Sequence, residues 1–336
     1  MTIARHSSAT DAGRLAGLEE PESSLRDRSR PSRRGRIGGA LDRARRRIYL
    51  PLLLPALIVY VVLFIVPALY GMALSFSSWA GLGTTFRWVG LKNYTGLFSS
   101  PVFLSSFWNT LVLTAVVGIA IFLIACGAMI VLRTTKGHSF IRSAVFVPFI
   151  ISPIAIGLSV SFLFNPNGLI NTVLGLLGLD GLQRPWLAAD NILQVIMVGL
   201  TWSAAGFYVV LLMSAVDGIP ASFYESAQIE GANLLQQFRH ITLPLTRDMI
   251  SVAAVLWVIA GIKTFEIIIA FTGTAGTPPL QARSLAVEQY LRVTGGPAGG
   301  IPQMGSAAAI GVIMTIITVV LILLSRRISR REPLEM

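Results

Sequence analysis

Six stretches of the chain are too long and too apolar to fold in water. They run at about 50–76, 107–132, 143–164, 191–213, 248–272 and 305–325. Each supplies the roughly 20 apolar residues a helix needs to cross a hydrocarbon core about 30 Å thick. Hydrocarbon offers no hydrogen bonds, so the backbone of such a run must satisfy itself, and a long unbroken run does that as a helix. The prediction is an all-α polytopic membrane protein with about six transmembrane helices. The first run is too long for a signal-peptide core and lacks a small-x-small cleavage site near its end, so it is expected to remain as a span.

Charge places the ends. Only 13% of residues are charged, about half of what a soluble protein carries. The net charge of +11 sits largely outside the spans: twelve arginines from Arg5 to Arg47 precede the first run, and Arg326, Arg327, Arg330 and Arg331 follow the last. No aromatic-basic surface accompanies them, which argues against nucleic acid. Basic flanks mark cytoplasmic ends. An even number of spans returns both termini to that side. Residues 1–48 read as a basic, mostly disordered cytoplasmic tail, 49–325 as the six-span domain, and 326–336 as a basic cytoplasmic C-terminal tail. The loop after span two carries Arg133, Lys136 and Arg142, and that after span four Arg239 and Arg247. The outer loops hold Arg87, Lys92, Arg184, Arg283 and Arg292, so the orientation rests mainly on the two ends.

Enzymatic chemistry finds little support. Cys126 is the only cysteine and lies in an apolar run; His6, His138 and His240 are too scattered to hold a metal. No Gly-x-Ser-x-Gly, His-Glu-x-x-His or Walker lysine motif occurs, so no cofactor or nucleotide is expected on this chain. The outer stretches "FRWVGLKNYTGLF", "NPNGLINTVLGLLGL", "GTAGTPPLQARSL" and "TGGPAGGIPQMGSA" read as an interfacial segment, a turn with a short apolar helix, and two loops full of Gly and Pro.

One stretch is polar where its neighbours are oily: "YESAQIEGANLLQQFRHITLPLTRD", Tyr224 to Asp248, within a loop at about 218–246. Ser222 and Glu225 have capping-box spacing, which predicts a helix starting at Ser222. Gly231 is placed to break it in a left-handed conformation. A second short helix fits Asn233 to His240, with Asn233 as its cap. Pro244 suits the first turn of the following span. Two readings are open on these grounds: an amphipathic linker on the membrane surface, or a compact cytoplasmic plug that docks on a partner.

The order Glu225–Ser226–Ala227, three residues, Gly231, nine residues, then Ile241–Thr242–Leu243–Pro244 resembles the Glu-Ala-Ala motif of permease subunits in bacterial ABC importers. The single departure is Ser226, where the family usually has alanine. "RSAVFVPFIISPIAIGLSVSFLFNPNGLIN", "TFEIIIAFTGT" and "GSAAAIGVIMTI" are similar to blocks of the maltose-type sugar permeases, and the likeness runs from about 50 to 325. The Thr-x-Gly-Gly-Pro that usually closes the second block is looser here, at Thr272–Pro278. The large outer domain of the maltose permease has no counterpart.

The resemblance implies a partner set: a second homologous permease, two ATPase subunits that bind ATP and Mg, an extracytoplasmic solute-binding protein, the bilayer and a sugar. It implies alternating access driven through a coupling helix between spans four and five, with Glu225, Ser226, Ala227, Gly231, Ile241, Leu243 and Pro244 in the ATPase-coupling motif. Sugar contacts in the family come from helices flanking that loop, so the substrate-path candidates are Trp202, Ser203, Phe207, Tyr208, Lys263 and Thr264. Trp202 equally suits packing. Lys263 and Glu266 stand three apart, so they either neutralise each other along one helix face or line a polar cavity or partner contact. A non-sugar solute such as a glycerol phosphodiester, and an ATPase-independent secondary transporter, are the competing functions.

Overall fold

The computed structural model describes residues 52–329 except 82, 134, 136, 272–276 and 297–298. The predicted N-terminal tail lies outside the described residues, as does most of the C-terminal one. In chain order the helices are α1 (Leu52–Leu74), α2 (Lys92–Phe98), α3 (Pro101–Val131), α4 (His138–Ile150), α5 (Pro153–Leu163), α6 (Leu169–Leu176), α7 (Ile192–Asp217), α8 (Ala221–Ile229), α9 (Leu234–Ile262), α10 (Glu266–Phe271), α11 (Leu285–Thr294) and α12 (Met304–Ser329). Among the described residues the only β pairing is an isolated bridge between Ser77 and Trp88. Helices α1, α3, α7, α9 and α12 are each long and apolar enough to cross a membrane; α4 and α5 together make a sixth candidate, bent by 95°.

Prolines decide where these helices bend. Pro153 forces the residue before it out of the helical region, and Ile151 and Ser152 are extended, with ψ of 140° and 134°. The predicted third span is therefore two short helices at a sharp angle. Pro67 and Pro244 do something different. Each lies two residues after a π-helical segment, Val61–Ile65 and Phe238–Thr242. A proline ring clashes with the carbonyl four residues back and supplies no N–H. In both cases that carbonyl falls inside the π segment, whose wider turn accommodates the ring and lets the helix continue. As a result the expected short helix at 233–240 and the expected fifth span from 248 are one helix, α9.

The chain divides into two units at Phe64, and the packed core belongs to the second. Helix α7 is its axis, packed against α3 and α4. The fit is close because small residues sit at the crossings. A Cβ at Gly206 of α7 would stand 1.9 Å from the Val145 carbonyl oxygen on α4. Likewise a Cβ at Gly118 of α3 would meet the Trp257 ring at 2.5 Å, and Trp257 Nε1 donates to the Thr114 carbonyl at 2.7 Å.

The fifth span also ends differently from the prediction. It stops at Ile262, and α10 resumes at Glu266 beside α5. The stretch read as a Gly/Pro loop returns into the core: Ala282, Ser284 and Leu285 are fully buried, and α11 then packs along α12. Irregular backbone at such depth must be satisfied by protein groups. Asn109 Nδ2 donates to the Leu280 and Arg283 carbonyls at 2.8 and 3.0 Å, and Leu285 N donates to Thr110 Oγ1 at 2.8 Å. Arg283 Nε caps the Pro278 carbonyl at 2.7 Å.

The contact at Gly206 is backbone against backbone, so it has no flexible side chain to yield. Replacing Gly206 by Val should destabilise the protein by about 1–3 kcal/mol or more, read as a lower melting temperature of the detergent-solubilised protein. Gly127, which faces open space on α3, should tolerate alanine with no loss.

Candidate functional site

Two features stand out, a hairpin at one end of α9 and a pocket at the other. Helix α8 begins at Ala221, with Pro220 fixing the entry. Ser222 therefore falls in the first turn rather than at the cap, and the expected box with Glu225 does not form. The turn that follows is as the sequence predicts: Gly231 has φ +81°. Gly231 N donates to the Gln228 carbonyl at 3.0 Å and Ala232 N to the Ala227 carbonyl at 2.9 Å, the paired bonds of a Schellman ending. Asn233 then caps α9 through a reciprocal box. Its Oδ1 accepts from Gln236 N at 2.9 Å, and Gln236 Oε1 accepts from Asn233 N at 2.8 Å.

The two arms are clamped from inside. Tyr224 is buried, and its hydroxyl lies 3.0 Å from Thr242 Oγ1 on α9. The Arg133 guanidinium, just past α3, sits 3.3 Å above the Tyr224 ring and donates to Gln237 Oε1 at 3.1 Å. Gln237 Nε2 in turn donates to the Ala232 carbonyl at 2.9 Å. Nearby, Arg142 on α4 grips Asp217 at the end of α7 with two bonds of 2.6 and 3.0 Å. None of Arg133, Tyr224, Gln237 or Thr242 was singled out from the sequence as a functional residue. Arg133 entered only as a topology charge, because a clamp built from residues 104 positions apart leaves no local pattern.

On the outside of the hairpin, Glu225, Ser226 and Glu230 are exposed, as are the apolar Ile229 and Leu235. Ser226, Ala227, Gly231 and Ile241 border a shallow concavity of about 490 Å³ between the arms. Leu243 and Pro244 lie beyond it, where α9 leaves the π turn.

At the far end of α9, the break of the third span faces the break of the fifth. Between them is a pocket of about 290 Å³, lined by Pro148, Phe149, Ile151 and Pro153 from one break, Lys263, Thr264, Phe265 and Glu266 from the other, and Leu200, Ser203 and Ala204 from α7. Ser203 Oγ donates to the Leu200 carbonyl and Thr264 Oγ1 to the Ala260 carbonyl, both at 3.0 Å. Their lone pairs remain free to accept from a ligand. Lys263 and Glu266 form no ion pair with each other: the helix ends between them, so the three-residue spacing does not place them on one helical face.

The structure thus brings Ser203, Lys263 and Thr264 together and distributes the other candidates. Phe207 stacks on Phe149 at 4.8 Å and so backs the pocket wall. Tyr208 is buried in the core against Phe122, Phe207 and Trp257. Trp202 is about half exposed and is not part of the lining. The wall from Pro148 to Pro153 was not anticipated, although Ser152–Pro153 within an apolar run is a readable break signal.

A transmembrane bundle with a capped polar hairpin between two spans defines a class of transport subunit, and comparison with known proteins identifies it. Residues 124–332 match the family model of the binding-protein-dependent transport system inner membrane component, and the chain belongs to that family. It is a multi-pass membrane protein and an ABC importer permease. A probable ABC transporter permease protein, YurN, of Bacillus subtilis is 34% identical, covering 82% of this chain and 93% of its own. The diacetylchitobiose uptake system permease protein NgcF of Streptomyces coelicolor is 30% identical, over 79% of this chain and 77% of its own. Among solved structures, a chain of a bacterial alginate ABC transporter, crystallised with an alginate pentasaccharide-bound periplasmic protein, superposes with a TM-score of 0.71 at 25% identity, covering 86% and 96% of the two chains.

The clamp makes a local forecast. Arg133→Ala removes a cation–π contact and a hydrogen bond, together about 1–2 kcal/mol. Hydrogen exchange of the amides from Ala232 to His240 should quicken about tenfold or more, while those in the middle of α7 stay as protected as before.

Proposed function

We propose that the chain is one of two permeases in an ATP-driven importer of a sugar, most simply a di- or oligosaccharide, in the bacterial plasma membrane with both termini cytoplasmic. The second permease completes the path. Two ATPase subunits bind ATP and Mg and dock on the hairpin, and an extracytoplasmic binding protein delivers the solute. The reading as a sugar importer draws on the relatives named above and on the multiple sugar-binding transport system permease protein MsmF of Streptococcus mutans, 30% identical over 83% of this chain.

The observation that carries the mechanism is the continuity of α9. Its first turn belongs to the hairpin, and the turn that directly follows its last residue, with Lys263 and Thr264, belongs to the pocket. At 1.5 Å per residue the helix is roughly 43 Å long. A push on the Schellman turn and the Asn233 box is carried by hydrogen-bonded helix rather than by a loop. Movement of the docked hairpin therefore shifts the Lys263–Phe265 turn against α5 and α7, which opens or closes the pocket to one side. Glu225, Ser226, Ala227 and Gly231 make the ATPase contact in this scheme, and Ile241, Leu243 and Pro244 form the stiff entry to the lever. Ser203 and Thr264 accept hydrogen bonds from sugar hydroxyls, Lys263 donates to them, and the Phe149–Phe207 pair offers an aromatic face. Trp202 and Tyr208 support the helices around them.

Reconstitution with the partner subunits tests both halves. Gly231→Val forces a β-branched residue into a left-handed backbone, and Glu225→Lys reverses a docking charge. Both variants should insert and assemble, yet lose binding-protein-stimulated ATP hydrolysis. Ser203→Ala should raise the KM for the transported sugar about tenfold, with stimulated hydrolysis still present at saturation. Coupled transport at the parental rate in both hairpin variants would refute the docking assignment, and an unchanged KM would refute the pocket.

A further inference from the structure

The turn that forms one wall of the pocket, Lys263 to Phe265, has left the helix, and something other than helical hydrogen bonding must hold it. Among the described residues, Thr264 N donates to the Gly261 carbonyl at 3.3 Å and Thr264 Oγ1 to the Ala260 carbonyl at 3.0 Å, hydrogen bonds that tie the turn back to α9. The Thr264 carbonyl points the other way, and it accepts a hydrogen bond of 2.8 Å from Ser284 Oγ. Ser284 is fully buried, stands twenty residues along the chain, and is also the N-cap of α11, accepting from Val287 N at 3.2 Å. One hydroxyl therefore uses its proton on the pocket turn and a lone pair on the re-entrant helix.

We infer that Ser284 is a positioning residue for the pocket: its hydroxyl fixes the unwound turn to α11, and so sets where Lys263 and Thr264 stand. The anchor it provides is itself held firmly. Glu288, one turn further along α11, is buried, and its carboxylate accepts from Arg292 Nε at 2.8 Å and from Arg283 Nη1 at 3.5 Å. Arg292 goes on to contact Gln303 and Ser306 at the start of α12. On the other side, Thr110 of α3 accepts from Leu285 N at 2.8 Å. Buried charge without partners is costly, and here Glu288 is paired with and accepts from both arginines, which anchors α11. The pocket turn also meets α11 through Phe265, whose ring stacks on Tyr290 at 5.6 Å, so the turn is held to α11 at two points, and Ser284 supplies the polar one.

The inference rests on the pocket reading for its functional meaning, but its structural content is tested separately. In the full complex carrying Cys126→Ala and Lys263→Cys, the rate of labelling by N-ethylmaleimide reports the exposure of the turn. Ser284→Ala and Ser284→Gly both delete the hydroxyl, but glycine is nearly as good an N-cap as serine, whereas alanine is not. If the bond to Thr264 is what matters, both variants label about fivefold faster or more, and Ser284→Thr restores the parental rate. A change in Ser284→Ala alone would mean that capping of α11 is the whole effect, and parental labelling in both would mean that the turn holds itself; either result overturns the inference. If labelling changes while Ser203→Ala leaves uptake untouched, Ser284 still positions the turn and the sugar pocket falls. If Ser203→Ala raises the KM and labelling does not change, the pocket stands and the role of Ser284 falls.

Discussion

A backbone amide or carbonyl without a partner costs several kcal/mol when no water can reach it. This chain interrupts its own helices inside the membrane-spanning region at Ile151–Ser152 and at Lys263–Phe265. The rest of the structure depends on how those interruptions are accommodated. Residues from both breaks line one pocket. Ser284 at the head of α11 donates to the Thr264 carbonyl of the second break, while Asn109 and Thr110 on α3 and Arg283 satisfy backbone groups of the buried loop at 278–285. Polar residues in the middle of apolar helices are in this sense structural supports for irregular backbone elsewhere.

The prolines show that the same residue has opposite outcomes according to what precedes it. At Pro153 the chain turns through a sharp bend, because Ser152 and Ile151 have gone extended. At Pro244 the helix survives, because a π turn absorbs the ring. The first outcome makes a pocket wall and the second makes a lever. A bend at Pro244 would detach the hairpin from the span, and a straight helix through Pro153 would fill the space that the Lys263 turn looks into. Fold and proposed mechanism thus share their determinants.

Much of this was legible in advance. Apolar run length located five spans to within a few residues at most of their ends, since hydropathy over some twenty residues averages out local detail. The Gly231 turn and the Asn233 cap were legible because they are local: a left-handed glycine and an N-cap are decided by the residue and its nearest neighbours. Ser222 shows where local reasoning fails. Its spacing to Glu225 was right for a cap, but Pro220 set the helix start one residue before Ser222. The re-entrant course of residues 277–294 was missed for a related reason. Glycine and proline mark irregular backbone without saying at what depth it lies.

By itself, then, the sequence determined a helical membrane protein of five or six apolar spans, and a capped, glycine-turned hairpin of the kind carried by importer permeases. Those features follow from hydrophobic run length and from short-range backbone preferences, both written into neighbouring residues. Only the tertiary structure decided that Arg133 clamps Tyr224 and Gln237, that Tyr208 is core while Ser203 faces a pocket, that Lys263 and Glu266 do not pair, and that Ser284 holds the Thr264 carbonyl. Each of these is a meeting of residues distant in sequence or separated by a helix break. What a side chain touches there is fixed by how helices pack and where they stop, and no local pattern encodes it.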